Sequence, residues 1–377
     1  MYSILDEIKK IRGDCPIIID NTIQNRYCVI TKEPDKSRTA YCFGSPIYNN
    51  GLHEIVDRRF KAGRECFYAI GSNAEIKIGD EIFMKNAMGH CSLKLSGKAE
   101  YINEYELACG NDRISLTSNG ILYRAEINDN SKITFKLEVG SPFMNIRANN
   151  KYFSLLYEKF RPFVTLSSIG IEDDNGYIVA PVKIVYQRDN DRMNTITFAP
   201  NSRVGMYITF EMNLHDWKLF EDTTVESYDK YDNNSFGTTA FIGKTEEFGE
   251  QWLYIRPELS RIQELFFQRV NKATLHFPKY NNCDTEIKAF AVASRFCSFG
   301  SNWDNKSEAE ETALYSNNTQ HYHSFDVTDL IADKKTKRLQ RSNGILLRPK
   351  ERNMPFSVIS TGDSCNRPII LEINCNN

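Results

Sequence analysis

Apolar and polar side chains alternate along most of this chain, and that alternation limits what the chain can fold into. The segment 133–139, ITFKLEV, is the clearest case, and 92–95 repeats the pattern. A period of two places successive side chains on opposite faces of an extended strand, so that one face can be buried. Turn signals separate such segments, among them the pair Asn175 and Gly176. We therefore expect an all-β chain built from β-sandwiches.

The length of 377 residues exceeds the usual size of one domain. A boundary is expected near 213, where an acidic segment and an Asn-rich segment follow a strand pattern. This predicts an N-terminal helix at 1–13, a β-sandwich region of one or two domains at 14–212, and a C-terminal β-sandwich at 213–377. The net charge of −2 gives no positive field for nucleic acid, and no apolar run is long enough to span a membrane.

The first thirteen residues predict a short amphipathic helix. Ile4, Ile8 and Ile11 share one face, Ser3 is placed to cap the start, and Gly13 is placed to end it. A helix this short is not stable alone in water, so its apolar face must pack against its own domain or against a neighbouring subunit. Ile4, Ile8 and Ile11 are therefore candidate assembly residues. The segment lacks a basic region followed by an apolar core, so we expect synthesis in the cytoplasm without a signal peptide.

Five short sequence motifs follow one another in the C-terminal part of the chain. They are LYIRPELS at 253–260, KATL at 272–275, SFDVTDLI at 324–331, SNGILL at 342–347 and RPIILEI at 367–373. In this order they resemble the DNRLRE domain, a jelly-roll-like module of bacterial and archaeal surface proteins. The resemblance covers about 220–377 and implies a jelly-roll-like β-sandwich that binds or builds structure. The N-terminal part resembles the region that precedes this module in signal-less clostridial proteins of unassigned activity.

Side chains that could carry chemistry occur in several places, each with a simpler structural explanation. His321 and His323 stand on one face of a predicted strand and could clip a metal, although no third ligand is tied to them by spacing. The carboxylate pairs at 173–174 and 221–222 fall in predicted loops and are interpreted as solvated charge. The chain carries no recognised catalytic or phosphate-binding motif. We predict no catalytic residue, no cofactor and no metal.

The ten cysteines form no Cys-x-x-Cys pair. This spacing favours buried free thiols over structural zinc. Cross-linking after release into an oxidising environment is the alternative. Cys15 and Cys375 lie near the chain ends and are the candidates for exposed, cross-linking thiols.

Two of the three tryptophans, Trp252 and Trp303, are candidates for glycan stacking, because sugar-binding modules place aromatic rings against pyranose faces. Trp252 lies in a predicted strand and Trp303 in a predicted loop. The alternative for both is that they pack a loop onto the sandwich.

Together these observations predict a non-enzymatic structural or self-assembling protein of a surface, a spore coat or appendage, or a phage-like particle. Its principal partner would be itself, as a homo-oligomer or filament. The alternative is a carbohydrate-binding module protein, alone or as part of a glycan-acting system, with a surface glycan as its partner. Neither prediction includes nucleic acid or a membrane span, and the expected final location is the cell surface, the spore surface or a particle.

Overall fold

The structure is a computed structural model of the chain. It describes residues 3–13, 15–22, 25–48, 55–69, 74–128, 132–140, 145–158, 161–200, 204–215, 218–265, 268–283 and 285–376. These residues are almost entirely strands and the turns between them, so the prediction of an all-β chain with a short N-terminal helix is confirmed. No helix in these ranges combines the length and the apolar character needed to cross a bilayer.

The secondary structure elements are numbered here in chain order. The helix α1 is Ile4–Arg12, and the first two strands are β1 Cys28–Lys32 and β2 Arg38–Phe43. The following seventeen strands are β3 Phe60–Ala62, β4 Phe67–Ala69, β5 Glu75–Ile78, β6 Glu81–Asn86, β7 Gly89–Lys94, β8 Glu100–Asn103, β9 Glu106–Cys109, β10 Asp112–Leu116, β11 Gly120–Glu126, β12 Ile133–Val139, β13 Asn145–Ala148, β14 Tyr152–Glu158, β15 Arg161–Glu172, β16 Ile178–Ala180, β17 Lys183–Arg188, β18 Met193–Ala199 and β19 Tyr207–Leu214.

The last part of the chain adds ten strands and two short helical segments. They are β20 Phe220–Glu226, β21 Thr239–Thr245, β22 Gly249–Pro257, the 3₁₀ segment Leu259–Leu265, β23 Arg269–Pro278, β24 Ile287–Val292, β25 Ala309–Ala313, β26 Tyr322–Asp326, α2 Thr328–Ile331, β27 Ile345–Pro349, β28 Ser357–Ser360 and β29 Ile370–Asn376.

The chain divides into two compact units. Unit 1 contains Met1–Tyr48, Trp217–Ser235 and Thr239–Asn377, and unit 2 contains Asn49–Asp216 with Phe236–Thr238. The end of unit 2 at 216 lies close to the predicted boundary at 213. Residues 14–48 differ from the prediction, which grouped them with the region up to 212. They belong to unit 1 because β2 pairs antiparallel with β29, with Arg38 opposite Cys375 and Phe43 opposite Ile370.

Unit 1 has two antiparallel sheets around one apolar core. One sheet has the strand order β1-β2-β29-β23-β26, and the other has the order β25-β24-β27-β22-β21-β28, with β20 paired to β22. Side chains from both sheets meet in the core, such as Ile30 and Leu371 from the first sheet and Ile242 and Leu253 from the second. The alternation seen in the sequence thus supplies the inner faces of a sandwich.

Unit 2 also has two sheets around one core. Their strand orders are β13-β14-β15-β19-β11-β10-β9-β8, with β16 paired to β15, and β17-β18-β12-β7-β6-β5-β4-β3. Four rings fill the centre: Phe210 stacks between Tyr123 and Phe198 at centroid distances of 5.1 Å each, and Phe135 meets it edge-on at 5.2 Å. Aromatic pairs at such distances stabilise a core beyond their buried area.

Of two local predictions, a hairpin turn is present and a helical turn is not. The hairpin expected at 173–176 is present: Asp173 accepts the N–H groups of Asn175 and Tyr177, and Gly176 has φ +79°. Apolar side chains at 153–160 also have a spacing that predicts a turn or two of helix. That prediction is wrong for the described part of the segment, because β14 runs through it and pairs with β15. Residues 159 and 160 lie outside the described residues. Hydrogen bonding to a neighbouring strand overrides a weak local helical pattern.

We predict that Phe210→Ala lowers the free energy of unfolding of unit 2 by about 3–5 kcal/mol, because it removes the central ring of a closed aromatic cluster. The measurement is urea unfolding followed by circular dichroism. Tyr177→Ala is the control, since Tyr177 lies in the hairpin turn with 40% of its surface exposed. Similar losses in the two variants would contradict the assignment of Phe210 to the core centre.

Candidate functional site

The N-terminal helix α1 packs on its own unit. Ser3 accepts a hydrogen bond from the backbone N–H of Asp6, and Gly13 ends the helix at φ +68°, as the sequence predicted. Ile4 and Ile8 are buried within the chain, and Ile11 is half-buried. Of the two packing partners left open by the sequence, the chain's own domain therefore takes Ile4 and Ile8. Their candidate role in assembly would require them to leave this site.

Polar contacts tie the same helix to unit 1. Arg12 forms a two-pronged ion pair with Glu33, with nitrogen–oxygen distances of 2.6 and 2.9 Å, and the hydroxyl of Tyr322 donates to Glu7. Hydrogen bonds from Arg12 hold the pKa of Glu33 below its ordinary value although burial opposes this shift. A planar guanidinium that meets a carboxylate in this way fixes orientation as well as position.

The two candidate cross-linking cysteines have different environments. Cys15 is exposed, as expected, whereas Cys375 is buried at 1% exposure in β29. The expectation of an exposed Cys375 is wrong because β29 pairs with strands on both sides. Burial raises the pKa of Cys375 to about 12, which keeps it a poor nucleophile. Cys28 and Cys42 lie opposite each other in β1 and β2 as free thiols.

The two candidate glycan-stacking tryptophans pack against each other. Their ring centroids lie 4.9 Å apart, and Trp252 retains only 7% of its surface exposure. The ammonium of Lys306 lies 4.6 Å from the Trp303 ring centroid and 5.5 Å from that of Trp252. A cation over an aromatic face is attracted to it, so Lys306 occupies the position that a sugar ring would need on these two side chains.

The His321 and His323 pair does not converge. His323 is buried in β26, where its Nε2 lies 3.1 Å from the hydroxyl of Ser357, whereas His321 is exposed just before the strand. Burial, with the nearby charge of Lys279, lowers the pKa of His323 to about 3. Among the described residues, no group of three or more His, Cys, Asp or Glu side chains is arranged to hold a metal ion.

The carboxylate pair at 221–222 is where the sequence interpretation fails most clearly. Both residues lie in strand β20 rather than in a loop. Glu221 accepts a hydrogen bond from Ser298 and pairs with Arg256, while Asp222 points to the other side and is buried at 1% exposure. The interpretation as solvated loop charge is therefore wrong, because β20 pairs along its whole length with β22.

Asp222 belongs to a buried cluster with Lys218 and Asp363, which we call the lysine–aspartate cluster. The Nζ of Lys218 contacts Oδ1 of Asp363, whose side chain is 1% exposed, while Lys218 keeps 24% exposure. Asp222 lies beside the carboxyl of Asp363 and the backbone of Gly362. Its carboxyl shares a hydrogen bond with the side chain of Asp363 and accepts one from the backbone of Gly362.

The backbone at Gly362 has to lie very close to β20 for this cluster to form. Asp363 lies in the loop between β28 and β29, directly after Gly362. A Cβ atom at Gly362 would lie 2.6 Å from Oδ1 of Asp222 and 2.8 Å from Cβ of Phe220. Any side chain at 362 would therefore displace β20 or the loop, so glycine is required for the contact.

The electrostatics of the cluster favour uncharged carboxyl groups. Burial, and then the nearby charge of Asp363, raise the pKa of Asp222 well above its ordinary value. Burial also raises the pKa of Asp363, although the ammonium of Lys218 acts in the opposite direction. Two buried carboxyl groups beside a single ammonium cannot both ionise without leaving one charge uncompensated. The cluster is therefore a site in unit 1 where burial opposes the ionisation of two neighbouring carboxyl groups.

Sequence reasoning missed this cluster for an identifiable reason. Lys218 and Asp363 are separated by most of unit 1, and no spacing rule connects them. One signal was present: Asp222 lies two residues after Phe220 in a segment whose alternation would place both on the same face. A carboxylate in register with buried aromatic residues indicates a buried polar site.

Comparisons with known proteins give no further guide, since no family model, no curated protein and no solved structure matches the chain. The resemblance of 220–377 to the DNRLRE domain therefore stays a prediction.

We predict that the free energy of unfolding falls by about 2 kcal/mol between pH 7 and about pH 4.5, because unfolding releases His323 to take up a proton. A histidine with a lowered folded-state pKa stabilises the fold above its unfolded pKa, and this contribution is lost as the pH falls. The measurement is urea unfolding at both pH values.

His323→Gln should remove most of this pH dependence, whereas His321→Gln, an exposed neighbour, should leave it unchanged. An unaltered slope in His323→Gln would show that other groups cause the pH dependence.

Proposed function

We propose that this protein is a non-enzymatic structural subunit that assembles with copies of itself on a surface, a spore coat or appendage, or a phage-like particle. The observation that carries the proposal is where the polar and aromatic side chains lie. Trp252, His323 and Asp222 were open to a role with ligands or solvent, and each is buried and packed inside its own unit. Such a distribution favours cohesion of the fold over binding at these positions.

A self-assembling β protein needs a surface that can pair with another chain, and β8 is our candidate. It is the last strand of its sheet among the described strands, and all four of its side chains are exposed. Tyr101 and Ile102 are exposed by 54% and 42%. An edge strand with free backbone groups and apolar side chains can extend a sheet from one molecule to the next.

The test is the mass of the full-length protein in solution, measured by light scattering over a concentration series and checked by negative-stain microscopy. We expect a defined oligomer or filaments. Ile102→Lys should weaken association at least about tenfold, because it places a charge on the pairing edge. Val185→Lys is the matched control, since Val185 is exposed on β17, the end strand of the other sheet of unit 2.

A wild-type protein that is monomeric at every concentration would overturn the proposed function. Assembly that is weakened equally by both variants would leave self-association standing but would overturn β8 as the pairing edge.

The second candidate function, carbohydrate binding, has its own specific support. Tyr228 and Tyr231 are exposed by 61% and 79%, and the loop that carries them is joined to Trp303 by a hydrogen bond from the Trp303 N–H to the carbonyl of Lys230. Exposed rings grouped in one loop region suit stacking on sugars. Binding to a glycan array that is lost in Tyr231→Ala and retained in Tyr315→Ala, an equally exposed tyrosine elsewhere, would favour this function.

A further inference from the structure

The lysine–aspartate cluster brings three features together. A primary amine contacts a carboxyl group, a second carboxyl lies beside the first, and both carboxyl groups are shielded from water. Lys218 precedes β20, Asp222 lies within it, and Asp363 lies in the loop before β29, so all three belong to unit 1. This is the arrangement of an amine, an acyl group and a proton relay.

A simple ion pair does not explain the second carboxyl group. Lys218 and Asp363 compensate each other's charge, and Asp222 then adds a second buried carboxyl, hydrogen-bonded to the Asp363 side chain and to the backbone of Gly362. A second buried carboxyl beside one ammonium costs stability, because the ammonium cannot compensate two carboxylate charges. A buried group retained at this cost calls for a role other than charge balance.

We propose that Lys218 and Asp363 are joined by an intramolecular isopeptide bond, and that Asp222 is the catalytic residue that relays protons while this bond forms. The site would be a self-modification site that acts once in each chain. The bond lies within one unit of one chain, so it goes beyond the proposed function and does not depend on assembly.

The reaction balances without any co-reactant. The uncharged amine of Lys218 attacks Cγ of the protonated Asp363 carboxyl, which forms the new C–N bond and a tetrahedral carbon. Asp222 accepts a proton from the nitrogen and delivers a proton to the departing hydroxyl. The C–O bond then breaks, one water leaves, and Asp222 returns to its starting protonation state. No atom is oxidised or reduced.

The surroundings suit each step of this reaction. Burial raises the pKa of both carboxyl groups and so favours the protonated acid, which is the form that an amine can attack. Contact between the reacting groups in the folded chain replaces a bimolecular encounter by an intramolecular one. The residual exposure of Lys218 gives the released water a route to solvent. The amide product carries no charge, so burial no longer opposes charged groups at Lys218 and Asp363.

The decisive measurement is the intact mass of the full-length protein after denaturation and reduction. We expect a mass lower than that of the sequence by one water, and a protease digest that contains a branched peptide linking Lys218 to Asp363. A folded protein with the full sequence mass would overturn the proposal. A linear peptide map would overturn it equally.

Substitutions distinguish the isopeptide bond from other reactions in which the chain loses water. Lys218→Arg should keep its full sequence mass, because a guanidinium is not a comparable nucleophile, whereas Lys272→Arg, at an exposed position in β23, should still lose one water. Loss of water in Lys218→Arg would indicate a cyclised aspartate instead and would overturn the proposal. Asp363→Asn should lose one ammonia in place of water, since the leaving group changes.

The role of Asp222 is tested by two variants. Asp222→Asn and Asp222→Ala should leave most of the chain at full sequence mass, and the asparagine variant preserves shape if the alanine variant does not fold. Complete bond formation in a folded Asp222→Asn protein would overturn the relay role. The wild-type and Lys218→Arg masses decide the bond itself in either case.

The bond also predicts a stability difference that an ion pair would not give. It would close a long loop from just before β20 to the beginning of the β28–β29 loop, which restricts the unfolded chain. The midpoint of thermal unfolding of unit 1 should be about 10 °C higher in the wild type than in Lys218→Arg. Equal midpoints in proteins that differ in mass by the missing water would contradict the stabilising effect.

These tests are independent of the proposed function, because mass is measured on denatured single chains. A cross-linked monomer would overturn self-assembly and keep the isopeptide bond, and an uncross-linked oligomer would do the reverse.

Discussion

The pairing of β2 with β29 is the constraint on which unit 1 depends. These strands lie at opposite ends of the sequence, and six consecutive residue pairs join them, from Arg38 opposite Cys375 to Phe43 opposite Ile370. The pairing carries α1 and β1 into the unit and places β29 inside its sheet rather than at an edge. Long-range pairing of this kind forms only after a large loss of chain entropy, so the contacts within the sheet must compensate for it.

That pairing also shapes the polar interior. Once β29 is fixed, the loop before it lies on β20, and Gly362 allows the contact that brings Asp363 to Asp222 and Lys218. A second buried network lies further along β20, where Glu226 accepts a hydrogen bond from Gln251. Buried polar groups must be satisfied by one another, so they specify one register of the strands more sharply than apolar packing does. The lysine–aspartate cluster is the member of this interior whose groups can also react.

Much of the local structure could be predicted from the sequence because its cause is local. The alternating segment 133–139 forms β12, and the Asp173 side chain accepts hydrogen bonds within the hairpin turn that follows it. Ser3 caps the start of α1, and Gly13 ends it. Predictions failed where the cause was distant. The segment with helical spacing at 153–160 contains the strand β14, which pairs with β15. Cys375 is buried because strands lie on both sides of β29. No property of those segments alone reports which strands will lie beside them.

The sequence by itself determined the all-β class, the turns, the caps of α1 and the alternation that supplies two apolar cores, because all of these follow from periodicity and from side chains near in the chain. Only the tertiary structure decided that residues 14–48 belong with the C-terminal strands. It alone placed Lys218, Asp222 and Asp363 in one buried cluster, since their meeting depends on a sheet closed between the two ends of unit 1. Spacing along a chain encodes neighbours within an element, whereas pairing between distant strands creates the site.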